Sequence, residues 1–204
     1  TSSAAHLLGL DVSHTTNALG TAASMASGLR ANFGSHTKAM HMGNAAQVGV
    51  EASLLARAGF TSSSPVLEHH YGFYAATVGG DQVDLEATRA ALAERDRWYF
   101  IDPGIGIKLH PCNSAVLPGI DTTLELVSQH RITPDQVERV DYLYTDLART
   151  IVPFDDPKTS AEAMYSMTHA IAVAIVYGRA GIREFSEEAV HNPDVARMRK
   201  RVQP

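Results

Sequence analysis

A chain of 204 residues, 45% hydrophobic and 19% charged, has the composition of a globular protein and can remove roughly 70% of its unfolded surface from water. A net charge of −5 excludes nucleic acid as the main partner, because phosphate binding needs a concentrated basic surface. The single cysteine, Cys112, excludes an internal disulfide and a cysteine-held iron–sulfur cluster within the chain, and fits a reducing cytoplasm.

In chain order the first half reads as helical. Residues 4–10 look like the last turns of a helix. Asp11 or Ser13 can cap a second helix running to about Leu29, with Leu19, Ala22 and Leu29 at helical spacing. A third is expected over 41–58, ending at Gly59, the usual residue for a left-handed cap. Its stripes Ala45, Val48, Ala52, Leu55 and Ala46, Gly49, Ser53, Ala56 predict packing on most sides. A short helix and a Gly79-Gly80 break follow the Ser-rich turn at 61–65, and then a helix over 84–95. Residues 98–106, with Pro103, Gly104 and Gly106, are the expected domain boundary.

The second half mixes types. Residues 114–130, 158–177 and 194–202 pattern as helices, Ser186 starts a short one, and 137–147 alternates as a strand. The longest apolar run, 170–177, is far short of the roughly 18 residues that cross a bilayer, so no membrane span is expected. The cluster Arg197, Arg199, Lys200 and Arg201 suits the last turn of a helix, where the dipole favours cations. The fold class expected is mainly α with a small α/β part: an incomplete helical domain over 1–104 and an incomplete α+β domain over 105–204. Both ends read as cut, so the sequence is expected to be an internal piece of a longer protein.

Residues 34–46 are the richest in chemistry, with Thr37, Lys38, His41 and Asn44 in a turn that opens a helix. Unpaired N–H groups at a helix start suit a carboxylate, and a lysine there can clamp an anion or, where burial depresses its pKa, act as a base. The plainer reading has Thr37 capping the helix and Lys38 pointing into water. His36 and His41 lack the companions of a metal site, and no metal is expected. His69 and His70 read as a surface pair, and Cys112 as a small buried residue. His110, in the run from Lys108 to Ser114, is either a site residue at the domain cleft or a loop residue. His169, on the same helix face as Tyr165, is either a satisfied core histidine or a proton-transfer group.

Gly28-Leu29-Arg30-Ala31-Asn32-Phe33-Gly34, Thr37-Lys38 and His41-Met42-Gly43-Asn44-Ala45-Ala46 together resemble the central block of the MmgE/PrpD family. That family includes 2-methylcitrate dehydratases, cis-aconitate decarboxylases and iminodisuccinate epimerases. Lys108-Leu109-His110-Pro111-Cys112 resembles its entry into a smaller lid domain, and Tyr165-Ser166-Met167 with Phe185-Ser186 its later helix. The resemblance implies a helical large domain, a small α/β lid, an active site between them and a homodimer without metal or organic cofactor. It implies a lyase or isomerase moving a proton next to a carboxylate of a small polycarboxylate, by dehydration, decarboxylation or epimerisation. Lys38 falls on the family's active-site lysine; His41, His110 and His169 are its expected catalytic neighbours, and Arg30, Thr37 and Asn44 the expected substrate-binding residues. Two departures stand out: Leu117 where the family has a histidine, and His169 where it commonly has a tyrosine. They leave open a non-catalytic subunit that binds a partner or a carboxylate without turnover.

Overall fold

The computed structural model describes residues 1–79, 83–94 and 98–204. The chain forms two compact units, residues 1–29 with 39–105 and residues 30–38 with 106–204. Among the described residues it is mainly α, with one two-stranded parallel sheet.

The first unit contains α1 (Ser2–Leu7), α2 (Val12–Met25), most of α3 (His36–Arg57), α4 (Phe73–Thr77) and α5 (Leu85–Ala93). Asp11 caps α2 by accepting from the His14 N–H at 2.8 Å. That bond holds its carboxyl below the usual range. The helix stops at Met25, short of Leu29. Ala26 is already extended, and Gly28 takes φ +125° with the His41 ring 3.2 Å from where a Cβ would stand. Helix α3 begins five residues before the expected start, because the 3-10 turn Arg30–Asn32 leads directly into it and the Ser35 hydroxyl donates to the Asn32 carbonyl. Thr37 is therefore the second residue of the helix and not its cap. Only one face of α3 is buried, through Val48, Gly49, Ala52, Ser53 and Ala56. Ala45, Ala46, Val50 and Leu54 are exposed, which corrects the expectation of packing on most sides. The helix expected over 84–95 is α5, capped by Asp84, while Gly80 and Arg95 lie outside the described residues.

The second unit is organised by α9 (Met167–Tyr177), buried at every residue from Met167 to Ile175 and packed between α6 (Leu117–His130) and α11 (Pro193–Arg199). A helix apolar all round has to be enclosed. The helix expected over 158–177 breaks into α8 (Ser160–Ala163) and α9, because Ser166 turns its hydroxyl onto the His169 N–H at 3.1 Å and caps a new start. The strand expected over 137–147 shrinks to β1 (Val140–Asp141), paired in parallel with β2 (Val202–Gln203). Alternation marks two faces, but a ladder extends only as far as its partner. Thr145 then caps α7 (Asp146–Ile151). Helix α10 (Glu187–His191), capped by Ser186, leads to α11. That last helix ends at Arg199, short of the expected 202. Among the described residues no helix is long and apolar enough to cross a membrane.

Arg199 lies in the last turn of α11, as expected of the basic cluster, but it is buried there. Its side chain is 8% exposed, donating from Nη1 to the Val190 carbonyl at 2.8 Å and from Nη2 to Asp156 at 3.2 Å.

Candidate functional site

A concavity of about 720 Å³ opens in the second unit, lined by Phe33 and Lys38, by the loop 108–113, and by Met164, Tyr165, Gly181 and Ile182. The segment 30–38 is docked there by its aromatic ring and its guanidinium. Phe33 lies 5.2 Å from the Tyr165 ring. Arg30 stands 5.8 Å over Phe33 and donates from Nη2 to the Thr150 hydroxyl at 3.2 Å. Gly34, at φ +82°, lets the backbone pass the Phe154 ring, which would lie 2.4 Å from a Cβ. Docking carries Lys38 to the pocket on the first turn of α3, half-buried, its ammonium without a hydrogen bond or ion pair to any described residue.

The opposite lining is the loop before α6. Lys108 Nζ donates to the Cys112 carbonyl at 3.2 Å, the Cys112 N–H to the His110 carbonyl at 2.9 Å, and the Asn113 N–H to the Met164 carbonyl at 2.8 Å. Cys112 is buried, and desolvation pushes its thiol up to about 11, which makes it inert. The pocket thus collects two ammonium groups, Lys38 and Lys108, and among the described residues no carboxylate lines it. Such a surface suits an anion with more than one negative group.

The histidines fare differently. His110 lines the pocket but has both ring nitrogens engaged: Nδ1 donates to the Ala180 carbonyl at 2.9 Å, and Nε2 to the Asp121 carboxylate at 3.0 Å. His169 is fully buried in the core and lines no part of the pocket. Its Nε2 donates to the Glu184 carbonyl at 2.9 Å, which leaves Nδ1 as the acceptor facing Arg199 Nη1 at 3.5 Å. Burial above all, and then the guanidinium, depress its pKa to about 4 against the bond to Glu184, so the ring is neutral. Of its two readings, these surroundings match a satisfied core histidine.

The remaining expected residues are scattered. Arg30 and Thr37 sit in the same unit as the pocket but do not line it. His41 and Asn44 belong to the first unit, where His41 packs on Gly28 and Asn44 donates to the Ser27 hydroxyl at 3.1 Å. Leu117 packs against the core of the second unit. His69 and His70 are exposed, their rings tilted 34° to each other with centroids 4.2 Å apart. Among the described residues no group of three or more His, Cys, Asp or Glu side chains is arranged to hold a metal. Two residues were passed over in the sequence. Lys108 carried a signal in its polar run, and its distance of seventy residues from Lys38 hid the pairing. Asp121 carried none, since nothing in the spacing from His110 marks the bond.

The chain matches the model of the MmgE/PrpD N-terminal domain over residues 1–86 and that of the C-terminal domain over 110–204. The chain belongs to the MmgE/PrpD family. Lys38 falls within the first match and His110, Asp121 and His169 within the second. It is 27% identical to a mouse cis-aconitate decarboxylase over 98% of its own length, and 25% identical to the human one over the same share. A cis-aconitate decarboxylase of Aspergillus terreus is 26% identical over 97% of the chain. The chain spans 41% of the length of the two mammalian relatives and 43% of the fungal one.

Proposed function

We propose that the protein is a lyase acting on a small polycarboxylate, with decarboxylation of a cis-aconitate-like tricarboxylate as the first reaction to test. The observation that carries this reading is the pair of lysines lining one pocket, in a family whose matched relatives are named for cis-aconitate. The Lys38 ammonium, unpartnered among the described residues, meets one carboxylate; Lys108, held among them by a neutral carbonyl, can turn to a second. In decarboxylation the bond between carbon and the departing carboxylate breaks. Its electron pair passes into the unsaturated system, and a proton returns to carbon as CO₂ leaves. Fixed cations at the remaining carboxylates stabilise the charge that builds there. Lys38 holds substrate or moves the proton; Arg30 orders the segment that presents it. The family resemblance also supports a homodimer without metal or organic cofactor, and one equivalent of bound zinc or iron found by elemental analysis would count against that part.

The test is CO₂ release from cis-aconitate, run beside citrate-like and aspartate-like polycarboxylates. Release with a matching unsaturated dicarboxylate product supports the reading, and no turnover of any of them sinks it. A second reading, carboxylate binding without turnover, is favoured by one observation: both His110 and His169 have their ring nitrogens committed to the protein. Binding of cis-aconitate by calorimetry with no product formed would select it.

A further inference from the structure

We propose that Asp121 is a positioning residue for this pocket: through the ring of His110 it ties the wall of residues 108–113 to the wall of residues 180–182. For what the pocket holds, this rests on the polycarboxylate reading; the tie itself rests on geometry. Asp121 accepts from Nε2 at 3.0 Å and the Ala180 carbonyl from Nδ1 at 2.9 Å. The three residues come from three places: the loop before α6, α6 itself, and the turn after α9. The His110 side chain is 13% exposed and that of Asp121 59%, so the ring is enclosed while the carboxylate that orients it stays in water. Both ring nitrogens are engaged by these two protein groups, which leaves neither to face a substrate. The contribution of His110 is therefore geometric.

Both ends of the tie are themselves braced. The turn carrying Ala180 is folded around the buried carboxylate of Glu184, which accepts from Arg179 Nε at 2.7 Å and from the Gly181 N–H at 2.8 Å. On the other side the His110 carbonyl accepts from Cys112, whose own carbonyl accepts from Lys108. Lys108 and Gly181 both line the pocket, so the ring sets the distance between the segment that presents an ammonium and the opposite rim. A polycarboxylate has its charges at fixed separations, and a cation displaced by about 1 Å holds it and its transition state far less well.

Asp121→Ala and Asp121→Asn separate this role from a merely structural one, because the amide keeps an oxygen acceptor for Nε2. In Asp121→Ala, hydrogen exchange at the Cys112 and Gly181 amides is expected to quicken at least about fivefold, and cis-aconitate, the probe, to bind about tenfold more weakly. Asp121→Asn is expected to recover both to within about twofold. Unchanged exchange in the alanine variant overturns the proposal, as does faster exchange without loss of binding, or an asparagine variant as impaired as the alanine one. Should the unmutated protein fail to bind cis-aconitate, the polycarboxylate reading falls, while the exchange rates still decide whether the tie exists.

Discussion

The pocket wall around His110 and the core around His169 use the same side chain and differ in what they offer its second nitrogen. Each ring gives one N–H to a backbone carbonyl, Ala180 in one case and Glu184 in the other. The second nitrogen of His110 faces a carboxylate that stays in water. That of His169 faces a guanidinium in a dry interior, so a proton is excluded. A histidine's role is thus set by the sign of the charge beside it and by access to water, neither of which its sequence neighbours fix.

The largest effect that sharpens the contrast lies in the core. Ile171 is 2% exposed on the buried helix α9, and Ile171→Ala is expected to lower the unfolding free energy by about 3–4 kcal/mol, read by denaturant titration. A loss under about 1 kcal/mol would mean that α9 is not the centre of that unit. Acid comes next. His169 binds its proton at about 4 when folded and near 6.5 when unfolded, so between those values the unfolded chain carries the extra proton and stability rises with pH. Acidifying from 6.5 to 4 is expected to remove roughly 3 kcal/mol, and His169→Gln to flatten that slope whatever its stability at neutral pH. A slope unchanged by His169→Gln would place the acid sensitivity elsewhere.

At the pocket the expected loss is in activity instead of stability. Lys38→Ala should cut kcat/KM by at least about a hundredfold, roughly 2.7 kcal/mol of transition-state stabilisation, with a melting temperature nearly unchanged. Lys38→Arg keeps the charge but holds its proton, so it recovers substantial activity if Lys38 is a clamp and little if it is a base. Full turnover in Lys38→Ala would break the assignment. The smallest effect is expected at the surface: Arg139→Ala removes an exposed ion pair with Asp141 and should shift stability by at most about 0.5 kcal/mol.

The sequence by itself determined the helical class, because local propensity, capping residues and period-3.6 patterning act over a few residues. Asp11 and Ser186 start helices as their positions predict, and the apolar run 170–177 lies in a buried helix. It also marked Lys38 and the 108–113 run as chemically rich, since both are dense in polar groups. Tertiary structure decided the rest, for reasons of distance along the chain. The strand over 137–147 kept only the two residues that β2 could pair with, more than sixty positions away. Arg199, expected as a last-turn cation, is buried because the Val190 carbonyl and the Asp156 carboxylate accept from its guanidinium. Lys38 shares a pocket with Lys108 only because Phe33 docks on Tyr165 and Gly34 clears Phe154. Hydrogen bonds and ring contacts between distant segments leave no period in the sequence, so which histidine is enclosed, and which carboxylate orients the other, is settled only when the chain has folded.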